Sequence, residues 1–314
     1  MIRAAQERLA PYVRKTPILT SPFIDEIAGR RVFIKAECLQ HTGSFKFRGG
    51  WSAISALDEE KRKQGVIAFS SGNHAQGVAW AAKNHGCPAV IIMPSDAPEI
   101  KIQNTKALGA EVITYDRDTE SREEIGNKIS QDRGLHLIRP YDDPYVIAGQ
   151  GTCGLEIAEQ TDLDEADVLV CCGGGGLTSG IALAVEADAP HLTVRPCEPE
   201  GFDDVARSLK TGAIQTNNRQ SGSICDAIIT VAPGNITFPI LKRLCGDAVI
   251  VSDEDCLRAM AIAFDRLKII IEPGGAAALA AALFHSDSER DVIVVATGGN
   301  VDRAMFKRAL DTSR

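Results

Sequence analysis

The chain has 314 residues, 44% of them hydrophobic and 24% charged, with a formal net charge of −8, long enough for two domains around a sizeable core. The acidic balance argues against nucleic acid or an anionic membrane as partner, and no apolar run approaches the roughly 20 residues of a membrane span. Nine cysteines without a Cys-x-x-Cys pair read as buried free thiols in a reducing compartment, and six histidines show no metal-ligand spacing. Charges are scattered through the first twenty residues, which lack an apolar core, so no secretory signal is read there and a cytoplasmic location is expected.

From residue 31 onward, short β-branched runs alternate with helical patterns. A strand over 31–38 is followed by Gly43-Ser44-Phe45-Lys46-Phe47-Arg48-Gly49-Gly50, which opens a helix over 44–57. An ammonium between Phe45 and Phe47 at a helix mouth is poorly solvated, which lowers its pKa and frees a nucleophilic amine of the Schiff-base kind. A solvated lysine in a first helical turn has the same local pattern. Next, a strand over 65–70 runs through Ser70-Ser71-Gly72-Asn73-His74 into a helix over 73–84. Small polar residues at such an N-terminus either cap the helix or grip a carboxylate with amides and hydroxyls.

Strands over 88–93, 111–115 and 135–139, with helices over 98–108 and 119–132, lead to the turn-rich Arg139-Pro140-Tyr141-Asp142-Asp143-Pro144. Residues 65–140 read as a small α/β domain inserted into a large domain made of 1–64 and 141–314. The fold class expected is α/β, with two open, twisted, mostly parallel sheets covered by helices. A ligand belongs in the cleft between them, where the strands present their carboxyl ends.

A helix over 144–160 and a strand over 167–172 precede Gly173-Gly174-Gly175-Gly176-Leu177-Thr178-Ser179-Gly180. Successive glycines let backbone N–H groups converge without Cβ clashes, and the helix start adds partial positive charge, so this is a phosphate cradle. It is not a Walker loop, since no Lys-Ser/Thr pair follows, and it misses the third glycine of a dinucleotide fingerprint. After a strand over 192–197 come Glu198-Pro199-Glu200-Gly201-Phe202-Asp203-Asp204. Glu198 and Asp204 either share a hard divalent cation or are solvated acids on a turn, with Asp203 capping the next helix. Glu198 also lies about 20 residues beyond the glycines, where a dinucleotide fold places its ribose acid, so an NAD-dependent oxidoreductase is a second class to weigh. Helices follow over 203–211, 237–244, 253–268, 274–284 and 301–310 and strands over 248–251 and 291–296. The last strand ends in Ala296-Thr297-Gly298-Gly299-Asn300, where Thr297 is either a ligand contact or an N-cap.

These loops, with Leu39-Gln40-His41-Thr42, Ile147-Ala148-Gly149-Gln150-Gly151-Thr152 and Ala75-Gln76-Gly77, occur together in an order that resembles the fold type II pyridoxal-phosphate enzymes, and within them the threonine/serine dehydratase and serine racemase family. The resemblance implies a tryptophan synthase β-like fold with pyridoxal 5'-phosphate bound to Lys46, Phe45 beside its ring, and Gly173, Gly174, Gly175, Gly176 and Leu177 on its phosphate. It places Asn73 on the phenolic oxygen and Thr297 at the pyridine nitrogen, where most relatives have serine. A neutral hydroxyl there makes the ring a weaker electron sink than a carboxylate partner would. Ser70, Ser71, Gly72, Asn73 and His74 would hold the substrate carboxylate, with Arg122 nearby.

The implied reaction is deaminating dehydration of a β-hydroxy L-amino acid, such as L-threonine or L-serine, to a 2-oxo acid and ammonia. Lys46 is its base, and Ser71 is a second acid/base if the chain racemises instead. Ser71 and the spacing of Glu198, Phe202 and Asp204, which resembles a divalent-cation site, point to racemases and 3-hydroxyaspartate dehydratases. Pro233-Gly234-Asn235-Ile236-Thr237 points to dehydratases. Family analogy implies a homodimer.

Overall fold

The computed structural model describes residues 1–70, 72–97, 99–116, 119–219, 221–285 and 288–312. In chain order the elements are α1 (Ile2–Leu9), β1 (Ile18–Leu19), α2 (Pro22–Ala28), β2 (Val32–Lys35), α3 (Lys46–Ser55), α4 (Glu59–Gln64), β3 (Val66–Phe69), α5 (Asn73–Asn84), β4 (Ala89–Pro94), α6 (Glu99–Ala107), β5 (Glu111–Tyr115), α7 (Arg122–Arg133) and β6 (His136–Leu137). They continue as α8 (Pro144–Gln160), β7 (Ala166–Cys171), α9 (Gly176–Asp188), β8 (Leu192–Pro199), α10 (Asp204–Thr211), α11 (Thr237–Leu244), β9 (Val249–Val251), α12 (Asp253–Leu267), α13 (Pro273–Phe284), β10 (Asp291–Val295) and α14 (Arg303–Thr312).

Among the described residues, ten strands form two sheets. One has the order β1-β2-β10-β7-β8-β9, parallel except for the β1–β2 pair; the other, β5-β4-β3-β6, is parallel throughout. Strands such as β4 and β7 are buried along their whole length because helices cover both faces, the reason their sequences are continuous apolar runs rather than alternating ones. This is the two-sheet α/β fold expected from the sequence.

Parallel strands end on one edge, so the loops after β2, β10, β7 and β8 gather there. Those loops carry Lys46, Thr297, the glycine run and Phe202. The loop after β3 brings Gly72 and Asn73 from the four-stranded sheet. Helices α3 and α5 share one apolar cluster with α1 and that sheet, through Leu9, Phe47, Trp51, Val66, Val78 and Ile91. The two helices cross almost backbone to backbone: a Cβ at Gly77 would stand 2.8 Å from the Lys46 carbonyl oxygen, and one at Gly50 would stand 2.9 Å from that of Gly77.

A buried ionic network lies behind α3. Arg48 donates to Glu37 at 2.7 and 2.8 Å and to Glu156 at 2.7 Å, while Lys35 Nζ reaches Glu156 at 2.6 Å. Two cations face two carboxylates, so the group carries no net charge, and each member is hydrogen-bonded as burial requires. It ties the helix of Lys46 to β2 and α8.

Candidate active site

Lys46 is the first residue of α3, and its partly buried side chain lines the cleft between the sheets. Its Nζ donates to the Pro140 carbonyl at 2.9 Å and stands 5.1 Å from the centroid of the Phe45 ring. Burial pushes its pKa down to about 8, against the opposing pull of the Glu272 carboxylate. Near neutral pH a usable share of the amine is therefore unprotonated, as a nucleophile or base requires.

The glycine run lines the same cleft. Gly175 has φ +89°, the left-handed turn that bends the chain off β7 into α9. The Thr237 hydroxyl and Gly234 N–H bond the Gly174 carbonyl at 2.7 and 3.2 Å, and Asp142 accepts from the Asn235 and Ile236 amides at 3.1 and 2.8 Å. So 233–237, read in the sequence only as a family motif, braces the glycine loop from behind. The first N–H groups of α9 have no partner within the helix and face a cleft suited to an anion.

Asn73 opens α5. Its Nδ2 donates to Glu272 Oε1 at 2.6 Å, and its Oδ1 accepts from Asn300 Nδ2 at 2.7 Å. His74 is buried with Nε2 at 3.0 Å from the Ile138 carbonyl, and burial, with the Lys46 charge beside it, lowers its pKa to about 3. It is a neutral imidazole. Ser70 and Gly72 line the cleft, and the Ser70 hydroxyl accepts the Gly72 N–H at 3.1 Å. Ser71 lies outside the described residues. Thr297 is buried just past the end of β10, near the Cys171 thiol, and its carbonyl accepts the Phe45 N–H at 3.1 Å.

At the mouth of the cleft stand Arg122, the first residue of α7, and Arg219, with Lys101 3.7 Å from Asp226.

Glu198 falls inside β8 rather than in the loop that the sequence pattern places it in. Its carboxylate is fully buried and accepts the Val205 and Ala206 N–H groups at 2.9 and 2.7 Å, so Glu198, not Asp203, serves the start of α10. Asp204 Oδ1 accepts from Asn217 at 2.6 Å, whereas Oδ2 is buried without a hydrogen-bond partner among the described residues. Burial pushes Asp204 up to about 6; burial and then the Asp204 charge hold Glu198 well above the carboxylate range. No group of three or more His, Cys, Asp or Glu suited to a metal occurs among the described residues. The expected set would draw only two carboxylates, with the Phe202 carbonyl as third donor.

Glu272 and Asn300 received no role in the sequence reading. For Glu272 there was a signal, an acid directly before Pro-Gly-Gly and an alanine-rich helix, but the same pattern marks any ordinary helix start. Tyr141 packs under the glycine loop and Thr230 faces it; the sequence marked Tyr141 only as part of a turn motif and Thr230 not at all.

Fold and site together define an α/β enzyme class in which a partly buried amine faces a glycine-rich helix start across a cleft between two parallel sheets. The chain belongs to the pyridoxal-phosphate dependent enzyme family, whose model matches residues 9–298. It is 45% identical to an L-threo-3-hydroxyaspartate ammonia-lyase from a Pseudomonas species, over 96% of this chain and 94% of that one. It is 43% identical to a serine racemase of Schizosaccharomyces pombe, over 96% and 93%. Among solved structures, a serine racemase from Dictyostelium discoideum superposes with a TM-score of 0.89 at 39% identity, covering 96% of this chain and 97% of that one. Membership in this family sets aside the dinucleotide reading of Glu198.

Proposed function

We propose that the protein is a pyridoxal-phosphate-dependent ammonia-lyase that dehydrates a β-hydroxy L-amino acid of the L-threonine or L-serine type to a 2-oxo acid and ammonia. The observation that carries this reading is the Lys46 amine, partly desolvated with its pKa depressed to about 8, in one cleft with the glycine run. The residues present fit the cofactor. Thr230 Oγ1, beside Gly173, is buried without a hydrogen-bond partner among the described residues, and the start of α9 offers backbone donors to a phosphate. Phe45 packs beside Lys46, Asn73 would meet the phenolic oxygen, and Thr297 would meet the ring nitrogen.

Bound there, pyridoxal phosphate supplies a conjugated ring that spreads the electron pair left when the α-proton departs. Lys46, once released from the cofactor, removes that proton as a neutral amine. Ser70, Ser71, Gly72, Asn73 and His74 are proposed to hold the α-carboxylate and so orient the Cα–H bond toward Lys46. Loss of the α-hydrogen and β-hydroxyl removes one water. Hydrolysis of the resulting enamine returns it, leaving 2-oxo acid and ammonia.

The cation rim favours a second reading on the same site. Arg122, Arg219 and Lys101, the last beside Asp226, stand at the mouth, and the two guanidinium groups suit the distal carboxylate of 3-hydroxyaspartate. We further propose that Glu198, Asp204 and the Phe202 carbonyl hold a divalent cation, which the unpartnered Asp204 Oδ2 supports. A cytoplasmic homodimer and the division of the chain at 65 and 140 belong to the same reading. No helix among the described residues is long and apolar enough to cross a membrane.

The test is a panel of L-threonine, L-serine and L-threo-3-hydroxyaspartate, with 2-oxo acid followed by a coupled assay and D-serine by chiral chromatography. Oxo acid from L-threonine or L-serine supports the first reading, and preference for hydroxyaspartate, lost in Arg122→Ala or Arg219→Ala, the second. D-serine without oxo acid refutes both in favour of racemisation through Ser71.

A further inference from the structure

We propose that Glu272 is a positioning residue: its carboxylate fixes which way the Asn73 amide points into the cleft, and its negative charge holds the proton on Lys46. The inference rests on reading Lys46 as the cofactor lysine.

Glu272 is the residue before α13, and its side chain makes no capping bond to that helix. It turns into the cleft instead. Oε1 accepts from Asn73 Nδ2 at 2.6 Å, and the Glu272 backbone N–H is anchored on the Gly298 carbonyl at 2.9 Å. The position opposite must stay bare, because a Cβ on Gly298 would overlap Oε1 and approach Asn73 Nδ2 to 3.1 Å. At its other end Asn73 Oδ1 accepts from Asn300 Nδ2, which also reaches the Thr42 carbonyl at 2.7 Å.

Asn73 is therefore clamped between an acceptor and a donor. Flipping the amide would set its oxygen against the carboxylate and its nitrogen against the Asn300 amine, losing both bonds. In the observed orientation one Nδ2 hydrogen goes to Glu272 and the second is left for a ligand oxygen.

The electrostatics follow from who faces Glu272. Lys46 comes from α3, Lys101 from α6, Asp226 from the facing wall and Cys38 from the turn after β2; His74 on α5 is neutral. Burial pushes Glu272 up to about 7, with Asn73 and the two lysines pulling it down and Asp226 pushing the same way as burial. Glu272 is the charge that opposes desolvation of Lys46. Between these two titrations the pair is carboxylate and ammonium. Removing the carboxylate leaves the desolvated ammonium alone and lets it deprotonate at lower pH.

The test uses the full-length apoprotein. The pH dependence of Lys46 acetylation by brief exposure to acetic anhydride is read by peptide mass spectrometry, with Lys210 on the surface as internal standard. In Glu272→Gln the Lys46 profile shifts to lower pH. A shift of one unit would raise the neutral fraction at pH 7 from about one-tenth to about one-half, about fivefold. Because glutamine retains an acceptor for Asn73, Glu272→Gln keeps pyridoxal phosphate affinity within about twofold, whereas Glu272→Ala loses about tenfold or more. An unshifted Lys46 profile in Glu272→Gln overturns the charge role, and equal affinity in the Gln and Ala variants overturns the positioning role. If the Ala variant does not fold, Glu272→Met, which fills the space but offers Asn73 no oxygen acceptor, takes its place in the comparison. Wild-type protein that takes no pyridoxal phosphate on Lys46 would instead sink the cofactor reading, while the acetylation profile still reports on the pair.

Discussion

Replacing Lys46 with methionine should make the apoprotein more stable. The ordinary lysine pKa of 10.5 falls to about 8 in the fold, and at about 1.4 kcal/mol per unit this depression is a penalty of about 3 kcal/mol on burying the ammonium. The sign is fixed by which state releases its proton first. Below pH 8 both folded and unfolded chains carry the ammonium, and the folded state bears the full penalty. Between 8 and 10.5 the unfolded chain holds more protons, so the wild type gains stability as pH rises, and above that window the penalty is gone. Methionine has similar reach and no charge, but leaves the Pro140 carbonyl without its 2.9 Å bond, a loss of about 1 kcal/mol. Near pH 6, where Glu272 with its pKa of about 7 is mostly neutral and loses little with its neighbour, the net gain is about 2 kcal/mol. Urea denaturation of both apoproteins near pH 6 and again near pH 10 measures it. A Lys46→Met variant equal to or less stable than wild type near pH 6 would refute the claim that the amine is desolvated.

Arg48→Met should lower stability by about 3–5 kcal/mol in chemical denaturation, because it leaves Glu37 and Glu156 facing Lys35 alone in a dry interior. Gly77→Ala pushes a methyl to 2.8 Å from the Lys46 carbonyl; a loss of about 1–3 kcal/mol and weaker uptake of pyridoxal phosphate are expected in denaturation and fluorescence titration, and wild-type values for both would show that α3 and α5 need not cross so closely. A divalent cation at about 100 times its dissociation constant should stabilise the protein by about 2.7 kcal/mol. That thermal shift should vanish in Asp204→Asn, and its survival there would place the cation elsewhere.

The strands were legible because burial on both faces writes them as unbroken runs such as Ala89–Pro94 and Ala166–Cys171. Helices with caps or apolar stripes were legible too: Pro144–Gln160, announced by Asp143 and Pro144, falls where its pattern ends. What escaped was short or weakly patterned, although α2 went unread despite its Ser21-Pro22 start and Gly29 end. The helix Glu59–Gln64 has no buried residue and is marked only by its Asp58 cap, β1 has two residues, and α1 buries just Ala5 and Leu9.

At the site, the local chemistry of Lys46 and the glycine run was readable because residue type and spacing carry it. Glu272 was not, since its role comes from a residue 199 positions away, Asn73, meeting it across the cleft. Glu198 was legible as an acid but not as a buried one, because the strand runs two residues past its apolar stretch to Pro199.

The most direct test of the account is to load the purified protein with pyridoxal phosphate, reduce it with borohydride and map the modified peptide. The account predicts a visible absorption band before reduction and a pyridoxyl group on Lys46 after it. No band, or a label carried by another lysine while the Lys46 peptide stays unmodified, would contradict it.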